Sequence, residues 1–266
     1  SYFTHWGLLL FVIVSWMWTE TYKWMARTPY SALAKWRGLM QGMIVLLLGL
    51  LIGLALLEVR VGWISVPLAL WAGLLILDTE LDEKKRFVLF LVGTGLLLTT
   101  VVEIIVLAGD IGRMNTVFKL YLQAWTFFAM SAGAALLWLL PETKKWTLRW
   151  QSFWQIMLGA LVIGAMLFSV TATLDKMRDR VDTAAPMGLD GMVYMKTAPY
   201  WDGVEMDLSQ DYAGIQWMRE NIVGSPVIVE ANTPEYRWGS RYTIYTGLPG
   251  VVGWNWHQRQ QRALNP

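Results

Sequence analysis

The chain contains no cysteine, which removes disulfide staples, thiolate metal sites and cysteine nucleophiles together. Histidine is nearly as scarce: His5 and His257 are the two present, too few for a histidine-rich metal site. Charged residues are 16% of 266 positions and the formal net charge is +2, so no nucleic-acid partner is expected. No GxxxxGK[ST] loop, no GxGxxG after a strand and no GxSxG elbow occurs in the sequence. These absences argue against an ATPase, a dehydrogenase and a serine hydrolase. No basic leader with a small-residue cleavage site opens the chain at Ser1. The start therefore reads as internal, with further spans expected upstream.

What the chain has in excess is apolar surface. Hydrophobic residues make up 55% and mean hydropathy is +0.39, which points to an integral membrane protein. The expected fold is mainly α, a polytopic membrane helical bundle. Six apolar runs, 2–19, 41–57, 61–77, 87–108, 117–140 and 153–174, each have about the length needed to cross roughly 30 Å of hydrocarbon. The second and third are joined by Glu58, Val59 and Arg60 and should form a tight antiparallel pair. Gly49 and Gly53 have the small-xxx-small spacing of helix packing faces. Seventeen tryptophans, many at the edges of apolar runs, suggest an interfacial aromatic belt.

Basic residues set the expected orientation. Lys23, Arg27, Lys35 and Arg37, then Lys84, Lys85 and Arg86, then Lys144, Lys145 and Arg149 fall in alternate loops, which are cytoplasmic by the positive-inside rule. The loop carrying Asp110 and Arg113, and everything beyond Leu174, is then extracytoplasmic. Two domains follow: a transmembrane bundle over 1–174 and a small extracytoplasmic α/β domain over 175–266. In the latter, Ser209 to Asn221 reads as a helix and Pro226 to Ala231 as a strand.

Two stretches carry candidate chemistry. The first, Gly109 to Trp125, wedges Asp110, Arg113, Asn115, Thr116 and Lys119 between long apolar runs, where unsatisfied polar groups cost several kcal/mol. Asp110 can serve as base or metal ligand, or simply pair with Arg113 three residues on. Glu103, inside the fourth run, is an intramembrane carboxylate that would share a face with Asp110 if the helix continued that far. The second stretch, Glu235 to Arg262, combines Arg237, Arg241, Arg259 and Arg262 with Tyr236, Trp238, Tyr245 and Trp254. Guanidinium forks suit phosphate oxygens and aromatic faces suit sugars or isoprenoid chains. An interfacial lipid anchor is the alternative. His257 can act as acid, base or structural hydrogen-bonder. His5, at the start of the first run, is either a porphyrin-type ligand or an interface anchor.

The pairing of GRMNTVFKxYLQAW with YRWGSRxxxYTGLPxVxGWxxHQxxxR resembles the YYY-domain membrane proteins, a group distantly similar to the GT-C glycosyltransferases; the likeness covers roughly residues 100 to 262. The resemblance implies an N-terminally incomplete GT-C-like bundle in a prokaryotic plasma membrane and a polyprenyl-phosphate sugar donor. It also implies an acidic base in a loop upstream of this chain. Sugar departure from such a donor would call for cations at the phosphate, for which Arg113, Lys119, Arg237, Arg241 and Arg259 are candidates. A carboxylate or His257 would handle the proton, with a divalent cation as a further option. Tyr236, Trp238, Tyr245 and Trp254 would stack on sugar or lipid. The expected partners are membrane lipid, a polyprenyl-phosphate sugar and other membrane subunits. The alternatives are a non-catalytic subunit of a larger membrane complex and a lipid-linked sugar transporter or flippase working through Glu103.

Overall fold

The computed structural model describes residues 2–29, 37–108, 110, 112–181 and 183–261; Lys35, Gly109 and Arg262 lie outside them. Six long helices come first: α1 Tyr2–Arg27, α2 Arg37–Leu56, α3 Gly62–Ile76, α4 Glu83–Ile104, α5 Met114–Thr143 and α6 Leu148–Arg180. They coincide with the six apolar runs. Four, α1, α4, α5 and α6, are long and apolar enough to cross a membrane; the apolar parts of α2 (Gln41–Leu56) and α3 (Gly62–Ile76) are shorter. The chain divides into two compact units, Ser1–Ser169 and Val170–Pro266, with the division falling inside α6.

The first unit is built on faces with helical spacing. Trp6, Leu10, Ile13 and Met17 of α1, Leu89, Val92 and Leu96 of α4, and Ala124, Phe128, Ala132 and Ala135 of α5 form one buried cluster. Each set recurs every three or four residues, which places it on one side of its helix. Helices α4 and α5 approach closely at Gly95, where an added Cβ would lie 2.7 Å from the Phe128 ring. Gly49 and Gly53, singled out by spacing, have nothing within 4 Å of their Cβ positions. Among the described residues nothing covers that face of α2, and close helix contact is made at Gly95 and Gly62, which lie outside that spacing. The expected α2–α3 turn does form: Glu58 takes φ 58°, Val59 N–H donates to the Leu54 carbonyl at 2.9 Å, and Gly62 lies against Leu54.

The aromatic-belt expectation needs correction. Trp6, Trp16 and Trp154 are core residues; Trp6 packs edge-on to Phe128 at 5.2 Å and Trp16 lies 5.2 Å from Trp138. Trp71 and the buried Trp154 also bind helices together by their N–H groups. Trp71 Nε1 donates to Thr21 Oγ1 of α1 at 2.9 Å, and Trp154 Nε1 to Ser15 Oγ at 3.0 Å. Indole supplies both bulk and a donor, so it can fill an interhelical gap as well as sit at an interface. Trp18, Trp63, Trp125 and Trp150 remain exposed.

In the second unit, β1 (Pro199–Trp201) and β2 (Glu205–Asp207) pair antiparallel. Helix α7 spans Ser209–Asn221, as its spacing predicts, and buries Ile215 with Met192, Met195 and Leu208. Short helices α8 (Arg241–Thr246) and α9 (Asn255–Gln261) follow. The strand expected over 226–231 does not form. Ile228 makes an isolated parallel bridge to Gly250, while Val227 and Val229 are exposed. A β-branched run becomes a strand only when a partner presents a ladder, and here the opposing segment offers a single bridge.

Candidate functional site

The Asp110 loop is organised around the start of α5. Asp110 accepts from Asn115 N–H at 3.0 Å, Thr116 N–H at 2.7 Å and the Thr116 hydroxyl at 2.6 Å. These amides are among the orphan donors of a helix N-terminus, so the carboxylate acts as an extended cap and sits where the macrodipole favours negative charge. Thr116 Oγ1 also accepts from Leu107 N–H at 3.0 Å, tying the loop to the chain leaving α4. Asp110→Ala is expected to cost about 1 kcal/mol, the usual worth of an N-cap. Asp110→Asn retains a carbonyl acceptor and should lose less in denaturant unfolding of the solubilised protein.

Helix α4 ends at Ile104, so Glu103 and Asp110 do not share a helical face. Glu103 instead sits in the last turn of α4 and receives Arg113 Nη1 at 3.0 Å. Arg113 thus pairs across the loop rather than with Asp110 along it. Among the described residues the ion pair leaves the other guanidinium donors of Arg113 without a hydrogen bond. Arg113 borders a groove of about 580 Å³ along α5, lined also by Met114, Val117, Phe118, Tyr121 and Leu122. Met114 and Phe118 are exposed. Lys119 is exposed nearly two turns beyond Arg113, with no carboxylate within ion-pair distance among the described residues. An apolar trough with a guanidinium at one end can take a hydrocarbon chain with an anionic head.

The arginines of the second unit are held by carboxylates that sequence reasoning did not single out. Arg237 Nη1 lies 2.7 Å from Asp202 and Arg241 Nε 2.8 Å from Asp211. Asp202 also accepts from Trp238 N–H at 3.1 Å; that bond, helped by the Arg237 guanidinium, holds its carboxyl below the usual range against an opposing desolvation. Asp211 accepts from Trp238 Nε1 at 2.9 Å and from the Tyr242 hydroxyl at 3.2 Å. Burial and this carboxylate push the Tyr242 phenol up. Glu230 accepts from Tyr242 and Thr243 N–H, at 3.1 and 2.7 Å, across the start of α8. Nothing in the spacing of residues 202, 211 or 230 links them to residues 237 to 243, so only chain folding reveals the pairing.

The four aromatic candidates fall into two groups. The Trp238 ring lies tilted 4.9 Å from Tyr200 and 6.3 Å from Tyr245, whose hydroxyl is 2.7 Å from that of Tyr194; these rings pack on the core of the unit. Tyr236, Trp254 and His257 form the second group, with centroids 5.5 to 5.7 Å apart. His257 Nε2 is bonded to the Tyr236 hydroxyl at 3.1 Å, which gives it a structural hydrogen bond. Tyr236 is 70% exposed at φ 64°, a left-handed conformation uncommon for a bulky residue. Arg259 is exposed and within electrostatic reach of Glu235. Glu235 is held below its usual value by its own backbone and by Trp256 N–H, with help from His257 and Arg259.

Depressed carboxyls contribute stability above their unfolded values and lose it as pH falls through the folded ones. The segment from 235 to 257 is therefore expected to stay anchored above 4.5, the ordinary value for Glu235. It should loosen progressively below 3.8, the ordinary value for Asp202. Pepsin cleavage mapped between pH 5 and 2 checks this, with cuts in 235–257 expected to appear at the acid end before cuts in α7.

Among the described residues no group of three His, Asp or Glu side chains could hold a metal ion. His5 has Trp6 as an aromatic neighbour at 6.3 Å. No curated protein and no solved structure matches the chain. Residues 1–128, which run from α1 into α5 and include Glu103, Asp110, Arg113 and Lys119, match the family described as Uncharacterized membrane protein (DUF2298).

Proposed function

We propose that the chain is a GT-C-like membrane glycosyltransferase component that takes a polyprenyl-phosphate sugar donor at the α5 groove. The supporting observation is the groove itself: an apolar trough with the Arg113 guanidinium at its end matches a long hydrocarbon joined to a phosphate. Arg113 would neutralise the phosphate as the sugar leaves, and Lys119, on the same helix, would add charge. Asp110 serves the arrangement by capping α5 and so fixing where Arg113 stands. Tyr236 and Arg259 are read as glycan contacts of the C-terminal unit.

In this reading all six long helices cross the membrane. The C-terminal unit is extracytoplasmic, because the basic loops gather at the opposite ends of the helices. The absence of cysteine makes the topology directly testable. Single cysteines at Asp190 and Lys144 should be tagged by an impermeant maleimide from outside the cell and only after permeabilisation, respectively; the reverse pattern overturns the orientation. For the activity, the chain reconstituted in liposomes should retain polyprenyl phosphate and release radiolabelled sugar to an acceptor. Retention without release would leave a lipid-phosphate-binding protein and count against transfer.

A second reading, an integral subunit of a larger assembly, draws on α6. Trp154 is its single buried residue among those described, although it carries Phe153, Ile163, Leu167 and Phe168. Stoichiometric co-purification of other membrane proteins in mild detergent would favour it.

A further inference from the structure

Two phenols lie within electrostatic reach of one another in the first unit, Tyr2 of α1 and Tyr121 of α5. Their hydroxyls differ in what holds them. Tyr2 is bonded to the Thr99 hydroxyl at 3.1 Å, so its hydroxyl is committed to α4. Tyr121 lines the α5 groove together with Arg113, is half-buried, and makes no hydrogen bond among the described residues. Its ring meets the core residue Trp6 edge-to-face, with centroids 5.3 Å apart. Packing therefore fixes the ring and leaves the hydroxyl a donor without an acceptor.

Tyr121 lies eight residues beyond Arg113, roughly 12 Å along the axis at 1.5 Å rise per residue. Helical side chains lean toward the N-terminus of their helix, so the ring leans back over Val117 toward the guanidinium. The electrostatic contact of Tyr121 with both Arg113 and Glu103 agrees with that direction. Arg113 already shares its charge with Glu103 at 3.0 Å, and an anion entering the groove meets a guanidinium that a carboxylate partly offsets. An anionic oxygen in apolar surroundings is costly without donors. A phenol supplies one, brings no charge of its own to desolvate, and makes a strong bond to an ionised oxygen.

We infer that the Tyr121 hydroxyl donates to the lipid phosphate beside Arg113, and that Tyr121 thereby selects a phosphorylated polyprenyl lipid over the free polyprenol. This role rests on the α5 groove being the lipid site, as proposed above. The phosphate lies between the guanidinium and the phenol, over Val117. The first isoprene units then run along Phe118 and Leu122, which line the same groove.

The test is native mass spectrometry of the full chain in detergent, titrated with undecaprenyl phosphate or with undecaprenol. Tyr121→Phe should weaken undecaprenyl phosphate about tenfold, the lower end for a hydrogen bond to a charged acceptor. Undecaprenol should change by less than about twofold, because the ring and its contact with Trp6 remain. Tyr2→Phe, which breaks the bond to Thr99, should leave both affinities unchanged. Equal weakening of both lipids by Tyr121→Phe overturns the inference, and so does a phosphate loss just as large in Tyr2→Phe, since either means loosened packing rather than a missing donor. Undiminished phosphate binding in Tyr121→Phe overturns it too; if Arg113→Gln still weakens the phosphate, the groove remains the lipid site and Tyr121 alone drops out. Equal binding of the two lipids to the unsubstituted chain removes the groove and the role of Tyr121 together. If Tyr121→Phe fails to fold, replacement of Tyr121 by 3-fluorotyrosine, a stronger donor of nearly the same shape, decides the matter. It should tighten the phosphate and leave undecaprenol unchanged; no gain overturns the inference.

Discussion

Replacing Arg113 with glutamine is expected to weaken binding of polyprenyl phosphate by roughly 10- to 100-fold, the range for losing a charge-assisted hydrogen bond to an anion. The substitution keeps length and polarity but removes the charge and most of the donors. Arg113 terminates the α5 groove, so the apolar contacts of Val117, Phe118, Tyr121 and Leu122 survive and the loss falls on the phosphate. Glu103→Gln provides the counterpart. It releases Arg113 from its 3.0 Å ion pair and should leave phosphate affinity the same or raise it, whereas a proton-coupled transporter working through Glu103 would lose uptake. Lys119→Gln should weaken binding by less than tenfold, because an exposed ammonium is well solvated and screened. Native mass spectrometry with lipid titration reads all three. Unchanged affinity in Arg113→Gln would remove the groove from the mechanism.

Phe128→Ala should destabilise the first unit by about 3 kcal/mol, near the lower end for deleting a buried aromatic ring. Phe128 is fully buried. Its ring fills the space that Gly95 leaves open on α4 and meets Trp6 of α1 edge-on, so truncation opens a cavity where three helices meet. In lipid the transfer contribution largely falls away, since the tails are as apolar as the core. What remains is lost van der Waals contact and the aromatic pair, which places the effect at the low end. Phe90→Ala, at an exposed position of the same bundle, should stay within about 0.5 kcal/mol. Denaturant titration of the solubilised protein, followed by circular dichroism, distinguishes the two. Similar losses at both positions would mean that the α1–α4–α5 packing is not what holds the unit together.

The helices were legible because each long apolar run writes its own length and face into the sequence. Trp6, Leu10, Ile13 and Met17, or Leu89, Val92 and Leu96, can be picked out by spacing alone. Helix α7 was legible for the same reason. Packing partners were not. Gly49 and Gly53 fit the spacing rule yet meet nothing among the described residues, whereas Gly95, in no motif, makes a tight contact with Phe128, because closeness depends on which ring arrives from another helix. Tryptophans at the edges of runs looked interfacial, but an indole also fills interhelical gaps, and only the neighbouring helices decide between the two. The site residues followed the same division. Arg113, Asp110 and Glu103 could be named as polar groups in an apolar setting. Their partners changed because α4 stops at Ile104 and the chain turns back, bringing Glu103 to Arg113 and Asp110 to the α5 amides. Asp202, Asp211 and Glu230 were invisible as partners of the Arg237–Thr243 segment, since the contacts span 12 to 36 residues of chain.

The sequence by itself determined that this is a helical protein with apolar runs suited to a bilayer and a more polar C-terminal part, because those properties are set by composition and period. Tertiary structure alone decided which charges are neutralised internally and which stand at a groove. An ion pair is a matter of distance between side chains, and that distance exists only once the helices have packed.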